Sequence, residues 1–134
     1  MSTPSRSQVR VRYSETDKMG ITHHGAYFIW FEVARIEFIR DRGVSYRDLE
    51  DKEGLHLPVI DAQARFLKPS FYDDVLEIHT RLLELSGARL RFEYEVHREG
   101  TEGPVATGCT GHAAVDGRGR PRRLPEELRR RLAS

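Results

Sequence analysis

The sequence predicts an α+β fold in which a curled antiparallel sheet wraps around one long central helix. Three observations predict it. The stretch "AYFIWFEVARIEFIRDRG" is apolar on most of its helical faces. The segments before and after it alternate apolar and polar residues with a period of two, as strands do. Clusters of turn-forming residues separate the later segments at short intervals. A helix that is apolar almost all round must be covered almost all round, and one sheet does that only by curling.

The first strand is carried by Val9, Val11 and Tyr13, which alternate with Arg10 and Arg12. A polar link from Ser14 to Gly25 follows, with glycines at 20 and 25. In the helix, Phe28, Phe31, Ala34 and Phe38 fall at helical spacing, and Ile29, Trp30, Val33, Ile36 and Ile39 widen the stripe. Gly43 follows the last basic residues and suits a C-cap. Glu37 and Arg40 stand three apart and can pair on the exposed side. Ser45 is placed to cap a short helix over "YRDLEDKEG", with Asp48 at its third position.

Four strand-like segments come next: "LPVIDAQARFLK", "VLEIHTRLLEL", "ARLRFEYEVHR" and the glycine-rich "PVATGCTGHAAV". The turn signals between them are "KPSFYDD", "LSG" and "REGTEG", and "DGRG" follows the last. Four successive strands with short links predict an antiparallel meander. Pro125 stands at a helix-start position, and "LPEELRRRLAS" reads as a short terminal helix.

The bulk properties bound the function. The chain of 134 residues suits one domain, 1–134, with an Arg-rich tail over 117–134. Twenty-two basic side chains against 21 acidic give a net charge of +1, which argues against a protein that coats nucleic acid. The single cysteine, Cys109, excludes an internal disulfide and reads as a buried thiol in a small-residue strand. The N-terminus lacks the apolar core of a signal peptide, and no stretch approaches a membrane span. The expectation is a cytoplasmic protein.

The link holds the titratable groups. His23 and His24 beside Asp17 suggest a metal pair, but adjacent histidines point apart and no His-x3-His spacing supports them. The expectation is no metal, with His23 a surface loop residue. Asp17 has a bland reading as a cap of a turn or of the helix start.

The strand–Asp17–Gly20–helix arrangement, running from Arg10 and Val11 through "TDKMG" to Tyr27, resembles the hotdog-fold acyl-CoA thioesterases of the 4-hydroxybenzoyl-CoA thioesterase family. The segment "ARFLKPSFYDDVLEI" is similar to the same family's second-strand region, and the resemblance runs from about Gln8 to Val115. Ala26 departs from the pattern, which usually has Asn or Ser there.

The resemblance implies hydrolysis of a small acyl-CoA to free acid and coenzyme A. It implies that Asp17 is the catalytic carboxylate, either attacking the carbonyl or activating water. The backbone N–H of His24, at the helix start, would polarise the thioester oxygen. The His24 imidazole would help position water or the leaving thiolate. Tyr13 would hydrogen-bond the carboxylate or acyl group, or else serve as a core aromatic. Gly20 would let the backbone bend close to the acyl group, or be a plain turn glycine. Gly25 and Tyr27 would line the substrate.

Coenzyme A carries three phosphates, and Lys68, Arg89 and Arg91 are the candidate cations, with the Arg-rich tail as a further basic surface. No cofactor is expected beyond the coenzyme within the substrate. The partners implied are the acyl-CoA and further copies of the chain: a homodimer, with the site at its interface, assembling into a homotetramer. Neither nucleic acid nor membrane is expected. Two other readings stand beside it: a hotdog dehydratase or hydratase acting on acyl thioesters, and a non-enzymatic acyl-CoA or nucleic-acid binding module.

Overall fold

The computed structural model describes residues 3–134; Met1 and Ser2, the start of the expected domain, lie outside the described residues. In chain order the elements are β1 (Ser5–Arg10), α1 (His24–Asp41), α2 (Tyr46–Asp51), β2 (Val59–Phe66), β3 (Val75–Ser86), β4 (Arg89–Arg98), β5 (Ala106–Ala113) and α3 (Glu126–Ala133). The strands form one sheet in the order β1-β3-β4-β5-β2, every pairing antiparallel. The inner face carries Leu76, Ile78, Leu82, Leu90, Phe92, Tyr94 and Val96, and α1 buries Trp30, Phe31, Ala34 and Phe38 in the same core. This is the expected α+β hotdog architecture, a curled sheet on a long helix.

The helix seats closely on the sheet. Phe31 stacks on Tyr94 with ring centroids 4.4 Å apart. A Cβ at Gly108 would stand 2.5 Å from the Phe31 ring, so only glycine admits the helix at this depth.

Three expectations need correction. β3, β4 and β5 form the meander, but β2 pairs with β5 at the far edge instead of with β3. The "KPSFYDD" stretch is not a tight turn. The link from 67 to 74 has eight residues, enough to reach about 26 Å, whereas three strand spacings need only about 14 Å. Second, α1 is covered on one side only. Phe28, Ile29 and Val33 face out, Ile29 being 54% exposed, and β2 exposes Val59, Ile60 and Phe66. Third, β1 ends at Arg10, and Tyr13 belongs to a 3-10 turn over Tyr13–Glu15. Val11 keeps its inward alternation, while Tyr13 is 78% exposed and is no core aromatic.

Local signals at the other ends act as expected. Gly43 follows α1 with φ +79°, the left-handed conformation of a C′ glycine. The Ser45 hydroxyl accepts from the Asp48 N–H. Leu128 and Leu132 pin α3 into the core. No described helix is long and apolar enough to cross a membrane.

Candidate active site

The link after β1 is a tight hairpin. Thr16 and Thr22 bridge as an antiparallel pair, the Asp17 N–H donates to the Ile21 carbonyl at 2.8 Å, and the Gly20 N–H donates to the Asp17 carbonyl at 2.9 Å. Gly20 has φ +83°, which favours glycine at the turn. The exposed Asp17 carboxylate accepts from the Met19 N–H through Oδ1 at 2.8 Å. Its second oxygen has no partner among the described residues. The turn-capping reading and an open carboxylate oxygen therefore coexist in one side chain.

α1 begins two residues earlier than the apolar stripe, because His23 caps it. The His23 imidazole accepts from the Gly25 N–H through Nδ1 at 3.0 Å, and the His23 carbonyl accepts from the Ala26 N–H at 3.0 Å. His23 is thus an N-cap and not an idle loop residue. Of these first-turn donors, the His24 N–H has no acceptor among the described residues, and it sits where the partial positive charge of the helix is greatest. The two histidines do not point apart as expected: the exposed His24 ring leans on His23, with centroids 4.2 Å apart, and approaches Phe66 edge-on.

Two buried anchors hold the segment, and neither was singled out in the sequence. Ser70, on the 67–74 link, accepts the Thr22 N–H through its carbonyl at 2.8 Å, and its hydroxyl meets the Thr22 and Tyr27 hydroxyls, each at 2.7 Å. Glu15 accepts the Arg12 N–H at 2.7 Å, the Arg12 guanidinium at 3.2 Å and the Trp30 indole N–H at 3.0 Å. Its carbonyl accepts the His23 N–H at 2.7 Å, tying this anchor to the helix cap. Burial pushes the Glu15 carboxyl up, but the three donors and the Arg12 charge together hold it below the usual range.

Glu15→Ala will therefore cost about 3 kcal/mol, because the buried Trp30 indole N–H and the part-buried Arg12 N–H lose their acceptor. Urea unfolding followed by fluorescence of Trp30, the one tryptophan, measures it. A loss below about 0.5 kcal/mol, the size of an ordinary surface change, would show that Glu15 anchors nothing.

The other expected site residues are divided. Gly25 is at the helix start. Tyr27 is buried, packs on Trp30 and Phe66, and spends its hydroxyl on Ser70, so it supports the segment from beneath; burial raises its pKa. Tyr13 makes no hydrogen bond to Asp17 among the described residues; its ring meets the edge of Tyr72. Lys68 lies two residues before Ser70 and donates to the Glu102 carbonyl.

Arg89 and Arg91 are at the far end of β4. Arg89 is seven residues from Val96, or about 24 Å along the strand. Arg91 is engaged with both Asp61 oxygens, at 3.3 and 3.2 Å, and lies 3.5 Å from the Cys109 sulfur. Cys109 is accordingly half-buried on the outer face and not a core thiol. The basic tail is also engaged: Arg131 reaches Glu127 and the Gly43 carbonyl, at the opposite end of α1 from His24.

Comparison with known proteins gives a consistent result. The family model of the thioesterase-like superfamily matches residues 11–132. The chain is 30% identical over 131 residues to the Escherichia coli acyl-CoA thioester hydrolase YbgC, covering 95% of this chain and 94% of that one. It is 39% identical to the crystal structure of TT1821 from Thermus thermophilus, with a TM-score of 0.89 and 96% of each chain covered. It is 36% identical to the DHNA-CoA thioesterase of Staphylococcus aureus, with a TM-score of 0.85 over 90% of this chain and 80% of that one.

Proposed function

Because the chain belongs to the thioesterase-like superfamily, we propose that it is an acyl-CoA thioesterase, cleaving a small acyl-CoA to free acid and coenzyme A. The observation that carries the reading is the pairing of one open carboxylate, Asp17, with one unspent helix N–H, that of His24, on a segment braced from below. The thioester oxygen lies at the His24 N–H, where charge developing in the transition state meets the helix dipole. Asp17 acts on the carbonyl carbon, either directly, expelling the thiolate and leaving a mixed anhydride for water to cleave, or by taking a proton from the attacking water. The His24 ring and Tyr13 line the approach to this position. Gly20 and Gly25 keep side chains away from it.

The working unit is a dimer. The bare flank of α1 and the unpaired edge of β2 expose a run of apolar groups, Phe28, Ile29, Val33, Ile60 and Phe66 among them, and a second copy covers them. The site then opens at the interface, and dimers pair further into a tetramer. Lys68 is the cation this subunit offers to the coenzyme phosphates; Arg89 and Arg91 serve only from another subunit. No cofactor is needed beyond the coenzyme of the substrate, and the setting is the cytoplasm.

The test is thiol release from a panel of short, branched and aromatic acyl-CoAs, with sedimentation equilibrium on the same sample. Thiol release on at least one substrate and a mass of two or four chains are expected. Inactivity across the panel would end the thioesterase reading, and hydration of an enoyl-CoA without thiol release would favour the hydratase. A monomer would end the interface part.

A further inference from the structure

On the outer face of the sheet, turned away from α1, two imidazoles lie against one another. The His79 and His97 rings are stacked with centroids 4.4 Å apart and planes 29° apart. The register produces this. His79 pairs with Glu95 and His97 with Glu77 across β3 and β4, so the histidines are diagonal neighbours on one face. Each has a carboxylate two residues along its own strand: Glu77 Oε1 at 2.7 Å from His79 Nε2, and Glu95 Oε1 at 3.0 Å from His97 Nε2. One ligand atom each from His79, Glu95 and His97 lie within 4.8 Å of one another. Arg6 salt-bridges Glu77 at 3.7 Å, which leaves Glu95 as the freer carboxylate.

We propose that His79, His97 and Glu95 form a binding site for a divalent transition-metal ion, with zinc the best match. Two borderline imidazoles with one hard carboxylate suit this class, whereas magnesium and calcium take all-oxygen sets. Ligand atoms about 2.0–2.1 Å from a tetrahedral ion stand about 3.3 Å apart, so small side-chain rotations bring the present group to bonding geometry. A surface hollow lined by Gln8, Val75, Glu77, His97, Arg98 and Glu99 opens alongside and admits a water as the fourth ligand. Glu77 stays within reach to hold that water or the His79 ring in place. The site shares no residue with the Asp17 segment. It cross-links the two strands at the centre of the outer face.

The test is titration of the chelator-treated full chain with zinc chloride, followed by calorimetry, and with cobalt, followed by its visible spectrum. Wild type is expected to bind one ion per chain with micromolar or tighter affinity and to melt at a higher temperature with zinc present. His79→Gln and His97→Gln are each expected to weaken binding at least about tenfold, while a variant with both His23 and His24 changed to Gln binds as wild type does. Circular dichroism of each variant separates lost binding from lost folding. No binding by wild type, or unchanged binding after both His79→Gln and His97→Gln, would overturn the proposal.

Discussion

Asp17→Asn will lower kcat for thioester hydrolysis by about 100- to 1000-fold, equivalent to about 3–4 kcal/mol of transition-state stabilisation. The effect is chemical because the substitution preserves the local structure. Asn keeps an Oδ1 that accepts the Met19 N–H, so the turn from Asp17 to Gly20 and the hairpin around it persist. What disappears is a negatively charged oxygen able to attack a carbonyl or take a proton from water. KM will change little, since substrate binding depends on the helix start, the apolar surround and the cations.

His24→Ala makes the complementary case. Its backbone N–H survives any side-chain change, so the loss there will be below about tenfold, the share of a positioning imidazole. The measurement is kcat and KM on the best substrate from the panel, with thermal melting to confirm folding. Full activity in Asp17→Asn, or a loss in His24→Ala as large as in Asp17→Asn, would sink this division of labour.

What was legible in the sequence was what local chemistry dictates. Asp17 and Gly20 could be placed because a turn between a strand and a helix has few residue solutions, and Gly43 and Ser45 for the same reason. The surface loop position of His23 was legible, but its capping role was not, because a histidine cap shows only when its ring folds back onto Gly25. Ser70 had no local signal beyond its place in the turn-like "KPSFYDD", because its role depends on the 67–74 link docking on Thr22. Strand order is a long-range outcome, and nothing in "LPVIDAQARFLK" says that it pairs with β5. Its poor burial goes with that edge position: Val59, Ile60 and Phe66 stay exposed, as do Phe28, Ile29 and Val33 on the uncovered flank of α1. The pairing of His79 with His97 depends on register, which a single sequence does not display.

Acidification from pH 7 to pH 4 will remove about 3 kcal/mol of folding stability through one residue, His112. Its side chain is buried between the sheet and α1, at 2% exposure. A neutral ring sets the hydrogen-bond directions. The Leu57 carbonyl can only accept, so the proton is on Nδ1, at 3.0 Å from it. Nε2 therefore accepts from the Thr110 hydroxyl at 2.8 Å, and the Thr110 oxygen accepts from the Tyr94 hydroxyl at 2.7 Å. A second proton on Nε2 would face another donor in a dry core. Burial first, and the Arg35 charge second, push the His112 pKa down to about 4 from 6.5. Above about pH 6.5 the ring is neutral both folded and unfolded, and nothing is lost. Below it the unfolded chain takes up a proton that the folded chain refuses, so stability falls with pH until the folded ring protonates near pH 4. Glu15 adds to the acid sensitivity, because its lowered carboxyl favours the folded state only while ionised. A comparison with His112→Gln isolates the histidine: Gln can donate to Leu57 and accept from Thr110 but does not titrate. Urea unfolding at pH 7 and pH 4 should show wild type losing about 3 kcal/mol more than this variant. Equal losses in the two proteins would mean that the ring is already charged in the fold, and the direction of the Tyr94–Thr110–His112 chain would have to be reversed.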